Sequence, residues 1–236
     1  MGALLTPARR RGVEILDDPS TDPQLVRRSL ADVARSNLLF GGTRAVLAEL
    51  LPTFRALDTA RGELSLLDVG SGAGDIPRSV QRAARSQGIR LTTIGLDASE
   101  TLARALRPGL AAGIRGDALA LPIADRGVDI AICSQVLHHF PDADALKVIR
   151  ELNRVARVRV IVSDIRRSWM AAGGIWVASF PLGFHPVSRH DGVVSVMRGF
   201  TPGELSELVT AAIGRSPIVR RRIGFRVTAS WTPEAR

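Results

Sequence analysis

Tyrosine is missing from this 236-residue sequence and cysteine occurs once, at Cys133. A single thiol rules out a disulfide within the chain and a cysteine-rich metal cluster, so no metal is expected and a reducing compartment is implied. Without tyrosine, any phenol-type hydrogen bond in a binding site has to come from other groups. Lysine is almost absent too: of the 32 basic residues Lys147 alone is lysine and the rest are arginine, against 23 acids, for a net charge of +9. A charge of that sign fits a polyanion. The arginines, however, are scattered from Arg9 to Arg236 with no patch of interleaved aromatics, so a nucleic-acid partner is disfavoured. Long apolar runs are lacking as well. No stretch approaches the roughly 18 uninterrupted apolar residues of a membrane span, and the opening MGALLTPARR holds no apolar segment long enough for a secretory signal. The expectation is a cytoplasmic protein without stable membrane anchoring. A hydrophobic content of 45% supports one sizeable core rather than two.

What is present falls into four stretches. Residues 1–60 read as helical: Asp22-Pro23 is a cap followed by a first-turn proline, and Leu25, Val26, Leu30 and Val33 recur at helical spacing until Phe40-Gly41-Gly42. A second helix is expected from Thr43, ending before Pro52. Residues 61–165 alternate strand and helix. The strands are LSLLDVG, LTTIGLD, a short GIRGDA, VDIAICS and VRVIVSDI; the helices between them include one closed by Pro108-Gly109 and one capped by Asp142. Continuous apolar strands alternating with helices mean βαβ units and a mostly parallel sheet with helices on both faces. Residues 166–200 break the rhythm with an apolar, aromatic insertion. Residues 201–236 hold a capping box at Thr201-Pro202-Gly203-Glu204 and then two strands around Gly224, which add an antiparallel strand to the sheet.

The stretch LLDVGSGAGD, residues 66–75, ends the first strand in an acid and three glycines. Ligands of open α/β sheets bind outside the carboxyl ends of the strands. Gly70, Gly72 and Gly74 let the chain turn tightly and leave bare backbone there. The acid Asp68 sits badly beside a pyrophosphate and suits an ammonium or sulfonium group. Asp97 ends the second strand, where a carboxylate can accept ribose hydroxyls, and Asp117 ends the third, within reach of an adenine amino group. Three acids at successive strand ends describe a nucleoside with a cationic, amino-acid-like tail.

LLDVGSGAGD, TTIGLDAS, RGDALALPIADRGVDIAICSQVLHHF and VRVIVSDI together resemble the class I methyltransferases, in particular the small-molecule branch that includes the ubiquinone-biosynthesis C-methyltransferases. The likeness covers residues 37 to 165 well and the remainder loosely. It implies a Rossmann-like, seven-stranded sheet with its last strand reversed and S-adenosylmethionine as cofactor. The implied contacts are Asp68, Gly70, Ser71, Gly72, Asp97, Ala98, Asp117, Ala118 and Ser134, with neighbouring Gly74, Leu119 and Gln135. In that fold the N-terminal helices cover the cofactor as a lid, with Gly41 as hinge or close approach to the methionine carboxylate and Arg44 as its counter-charge. One departure stands out: the Pro-Gly-Gly turn usual before strand five is replaced by Val155-Ala156-Arg157.

An acceptor hydroxyl of phenolic type, with pKa about 10, has to give up its proton, which calls for a general base. His138 is the preferred base, Asp164 its orienting partner, and His139 the second candidate; similar sugar-hydroxyl methyltransferases carry a histidine and an aspartate at matching positions. Packing or helix capping is the alternative role for either ring. The Asn/Asp-Pro-Pro-aromatic run of amino-nucleobase methyltransferases is absent, since Cys133-Ser134-Gln135-Val136 stands there. In the insertion, Trp169, Met170, Trp176, Phe180 and Phe184 are candidate walls of an apolar acceptor pocket or else core filling. Arg166, His185, Arg189 and His190 are candidate polar contacts, with Ser195, Arg198 and Phe200 further along. The expected activity is O-methylation of a small aromatic or quinol acceptor in bacterial specialised metabolism. The alternatives are C-methylation of a quinol or enolate carbon, an RNA methyltransferase, a scaffold that binds the cofactor without transfer, and an apolar stretch lying on a membrane to receive a lipid quinol.

Overall fold

The computed structural model describes residues 6–18, 20–56, 63–106 and 109–234. Seven strands form one sheet in the order β3-β2-β1-β4-β5-β7-β6. They are β1 (Glu63–Val69), β2 (Arg90–Asp97), β3 (Ala112–Arg115), β4 (Val128–Ser134), β5 (Ala156–Ile165), β6 (Ile218–Arg222) and β7 (Arg226–Trp231). The first five are parallel; β7 runs antiparallel to β5, and β6 antiparallel to β7. The helices are α1 (Pro23–Leu39), α2 (Gly42–Ala56), α3 (Asp75–Ser86), α4 (Glu100–Leu106), α5 (Asp142–Val155), α6 (Trp169–Ala178), α7 (Pro186–Arg198) and α8 (Pro202–Ile213).

Alternate strand residues feed two cores. Leu66, Ile130, Ile132 and Ile161 meet α2 and α3 through Val46, Leu50, Phe54 and Val80 on one face. Leu67, Ala131, Cys133, Val160 and Val162 meet α5 and α8 through Ile149, Leu152, Leu205 and Val209 on the other. Both faces of the central strands are covered, so their sequences read as unbroken apolar runs. Chain order reverses beside β1, because β2 lies on one side of it and β4 on the other. A crevice opens there at the carboxyl ends of the strands.

Three boundaries differ from the sequence expectation. The second helix starts at Gly42 and runs through Pro52 to Ala56. Continuation seats Phe54 in the core at 2% exposure, a gain of about 1.5–3 kcal/mol that offsets much of the ~3 kcal/mol cost of an interior proline. Asp142 is the first residue of α5 rather than its cap, which is Pro141; its carboxylate instead receives Arg9 and Arg11. Asp117 lies two residues past the end of β3 and opens a turn by accepting the Leu119 N–H at 2.9 Å. Where the Pro-Gly-Gly turn is missing, α5 passes straight into β5, and Arg157 pairs with Asp129 at 2.6 Å. The expected boundary between residues 60 and 61 and the helix-closing Pro108 lie outside the described residues.

Candidate active site

At the strand ends lies a cavity of about 1110 Å³, larger than the roughly 300–1,000 Å³ that holds a single ligand. At one end stand the β1 loop and the ends of β2 and β4; at the other stand α7 and the segment before α1.

Gly70 explains the loop. Its φ of +73° is left-handed, and a Cβ there would come within 2.3 Å of Val136 Cγ2. Only glycine keeps the chain against the β4 loop at this point. The Gly70 and Ser71 amides donate to the Leu96 carbonyl at 2.8 and 3.0 Å, and Gly72 N–H donates to Asp97 Oδ2 at 3.0 Å. The loop is thus fixed before any ligand arrives.

Asp68 is 3% exposed, and among the described residues its side-chain hydrogen-bond partner is the Ser71 hydroxyl, 2.6 Å away. Burial pushes its carboxyl up to about 7; Ser71 opposes this, while nearby Asp75 and Asp97 add to it. A buried carboxylate without a cation is a site for one. Asp97 is also raised, by burial first, against amide bonds from Ser99, Gly72 and Ala98. Ser134 Oγ at the end of β4 is buried and has no partner. Ala98, Asp117 and Ala118 line the cavity, whereas Leu119, Gly74, Gly41 and Arg44 do not. Gly41 is needed for a different contact, since a Cβ there would meet the Ile223 carbonyl at 2.5 Å. Arg44 is exposed on α2.

Of the arginines that line the cavity, Arg27, Arg115 and Arg226, the buried one is Arg226, at the start of β7. It is 4% exposed and donates to the Phe40 carbonyl at 3.2 Å and to Gln135 Oε1 at 2.5 Å, both neutral. Desolvation lowers its pKa to about 10. Gln135 also donates to Asn37, which reaches Asp75 at 3.0 Å. Sequence reading missed Arg226 because RRRIGFRV offers several arginines and only the β5–β7 pairing selects one.

His138 sits on a 3-10 turn after β4, 3% exposed. Its Nδ1 lies 2.6 Å from Asp164 Oδ1 at the end of β5, and its own N–H reaches Asp164 Oδ2 at 3.2 Å. Asp164 is fully buried. Burial alone would raise its carboxyl, but the His138 charge and hydrogen bond hold it below the usual value. With Nδ1–H donating to Asp164, the lone pair falls on Nε2. Among the described residues that atom has no hydrogen-bond partner, and it lies 3.8 Å from Glu14 Oε1.

Glu14 belongs to a strap, residues 7–17, that sequence reading did not place here. Arg198 anchors it by donating to the Gly12 carbonyl at 2.8 Å, Glu14 at 3.2 Å and Asp17 at 2.7 Å. Asp191 receives the Ile15 and Leu16 amides at 2.9 and 3.0 Å, and Ser195 donates to Glu14 at 2.8 Å. His139 stacks on His138 at 4.3 Å and pairs with Asp17 at 2.9 Å. Burial would lower its pKa, but the Asp17 hydrogen bond and the Glu14 and Asp17 charges raise it. Glu14, His138 and His139 bring three possible metal ligands within 4.8 Å of one another, yet Arg198 already supplies the positive charge that a metal would bring there.

In the insertion, Ser195 lines the cavity, together with Met170, Ile175 and Phe184. Trp169, Trp176 and Phe180 point outward, 47%, 52% and 49% exposed. Arg198 holds the strap, and His185 caps α7 by accepting the Val187 N–H at 3.3 Å. Arg166, Arg189 and His190 are not among the residues lining the cavity, and Phe200 is core.

A parallel sheet reversing beside β1, with an antiparallel β7, acids at successive strand ends and a glycine loop, defines a Rossmann-like methyltransferase fold. Residues 67–162 match the family model described as a methyltransferase domain, a family whose cofactor is S-adenosylmethionine. An uncharacterized methyltransferase of Mycobacterium leprae (strain Br4923) is 32% identical over 128 residues, which are 53% of this chain and 40% of that protein. The chain therefore matches about two fifths of the length of that relative. Among solved structures, mitomycin 7-O-methyltransferase superposes with a TM-score of 0.59 at 17% identity, over 93% of this chain and 60% of the other. Magnesium protoporphyrin IX methyltransferase from Synechocystis PCC 6803, solved with bound S-adenosylmethionine, gives 0.52 at 14% identity, over 92% and 86%. Among the described residues no helix is long and apolar enough to cross a membrane.

Proposed function

We propose that the protein moves a methyl group from S-adenosylmethionine to a hydroxyl of a small, largely apolar aromatic or quinol acceptor, a reaction of bacterial specialised metabolism. One observation carries the reading: a buried histidine that lines the cavity is held at Nδ1 by a buried carboxylate, and its Nε2 has no hydrogen-bond partner among the described residues. When bound, the cofactor supplies an electrophilic methyl group on a sulfonium. Everything else falls to this chain. Asp68 takes the ammonium end, and Arg226, a buried cation with neutral hydrogen-bond partners, takes the carboxylate that sequence reading gave to Arg44. Asp97, Asp117 and Ser134 face the nucleoside. The β1 loop needs no reorganisation to receive it, which fixes the methyl carbon relative to the acceptor.

His138 Nε2 takes the proton from the acceptor hydroxyl as oxygen attacks. Asp164 and Glu14 then flank the imidazolium and stabilise it. His138 and Glu14 are nearly enclosed, at 3% and 5% exposure, so the strap and α1, whose Val26, Leu30 and Val33 line the cavity, act as the lid that opens for the acceptor.

Isotopically labelled methyl donor and metabolite extracts identify the acceptor, and product NMR locates the new methyl on oxygen or carbon. With that acceptor, His138→Ala is expected to lower kcat by about 10²–10⁴ while leaving cofactor affinity unchanged. An unaltered kcat removes His138 as the base.

A further inference from the structure

Helix α6 is the least conventional surface of the molecule. Its ten residues, WMAAGGIWVA, contain no charge. Only Ala171 and Ala172 are buried, against Val196 and Met197 of α7. Trp169, Trp176 and Val177 project outward at 47–60% exposure, Met170 is 60% exposed where it meets the cavity, and Phe180 in the following turn is 49% exposed. So much apolar surface in one place marks a contact site. Arginines border it. The Arg10 guanidinium stands 5.9 Å from the Trp169 ring and that of Arg189 3.7 Å from the Phe180 ring, while Arg35 binds the Leu182 carbonyl at 3.1 Å. Residues 166–184 include Asp and Glu nowhere.

We infer that α6 and the turn after it dock on an anionic phospholipid surface, the aromatics entering the acyl boundary and the bordering arginines pairing with headgroup phosphates. Charge selects this occupant: Arg10 and Arg189 beside the apolar rings, with Arg35 next to them already paired to Asp32 and no acid in residues 166–184, are complementary to an anionic bilayer. Length sets the mode. Ten helical residues span about 15 Å, half of a bilayer core of roughly 30 Å, so α6 lies in the interface plane and does not cross it. The inner side of the same helix, at Gly174 and Ile175, walls the cavity. An apolar acceptor dissolved in the bilayer would therefore enter beside α6 without crossing water. That last step rests on the proposed function; the docking itself does not.

The test is co-sedimentation of the full chain with vesicles of phosphatidylcholine alone and of phosphatidylcholine mixed with phosphatidylglycerol. Tryptophan emission is followed in parallel, since Trp169 and Trp176 are exposed and Trp231 is 4% exposed. Expected are partition into the mixed vesicles with a blue shift, weakening with salt, and a loss of partition of about tenfold or more in Val177→Asp. Trp176→Ala should weaken it in the same direction. Calorimetric uptake of the methyl donor, unchanged in both variants, shows that they are folded and keeps failure of docking separate from failure of the cofactor reading. The inference is overturned if the protein ignores the mixed vesicles, if Val177→Asp partitions like the parent, or if light scattering shows a dimer that Val177→Asp splits.

Discussion

If Asp68 receives the ammonium end of the cofactor, as proposed, its burial makes cofactor affinity depend on pH in a direction that can be worked out beforehand. Its carboxyl stands at about 7 in the folded protein against an ordinary 3.8. Between those values the folded state holds a proton that the unfolded chain has released, so this group's effect on stability is favourable below the window and is lost as pH rises through it. Ammonium binding requires the ionised form. If the bound complex is fully ionised at Asp68, the apparent Kd is the limiting value multiplied by 1 + 10^(pKa − pH), about 1.1 at pH 8, about 11 at pH 6 and about 100 at pH 5. Calorimetry with the demethylated product, which keeps the ammonium group, measures this directly, and two buffers of different ionisation enthalpy reveal the accompanying proton release. Asp68→Asn preserves shape and removes the titration. Its affinity should be weak and flat with pH, near that of the parent at acid pH. Asp97 is also raised, so Asp97→Asn is the control and should leave most of the slope in place. A parent curve that is flat from pH 5.5 to 8, or an Asp68→Asn curve as steep as the parent's, refutes the assignment.

The other expectations are simpler. Gly70→Ala places a Cβ 2.3 Å from Val136 Cγ2 at a φ of +73°; melting should report a loss of about 1–3 kcal/mol, part of which returns in the double variant with Val136→Ala. Arg226→Gln should weaken binding of the same ligand by about tenfold to a hundredfold, as loss of a charge-assisted bond does, while Arg44→Gln changes nothing measurable by the same calorimetry. Arg198→Met removes the donor to Gly12, Glu14 and Asp17; amide exchange over residues 9–17 should accelerate and the acceptor KM should rise, and unchanged exchange shows that the strap is held by other groups.

How far the sequence reached depended on whether local chemistry reported a residue's neighbours. Strands β1, β2, β4 and β5 were legible within two residues because burial on both faces enforces unbroken apolar runs, and VDIAICS was placed at 128–134 as observed. The His138–Asp164 pair was legible because parallel neighbours end on one edge, so the ends of β4 and β5 had to meet. Direction on α6 was not. A helix apolar on every side carries no stripe to say which side turns inward, and Trp169 and Trp176 turned out. The strap was invisible for another reason: RGVEILDD has no periodicity, and the partners of Glu14 and Asp17 lie far along the chain, at His138, His139, Ser195 and Arg198. Pro52 was misjudged because a local breaking signal was weighed without the core that Phe54 fills.

The span between Glu14 and Arg198, 184 positions, has a consequence during synthesis. At about 5–20 residues per second the first segment leaves the ribosome roughly 10–40 seconds before its anchor is translated. The nascent chain therefore carries Glu14 without its arginine partner until Arg198 has been made. Chains released before Arg198 would lack the anchor of the strap as well as α8, β6 and β7.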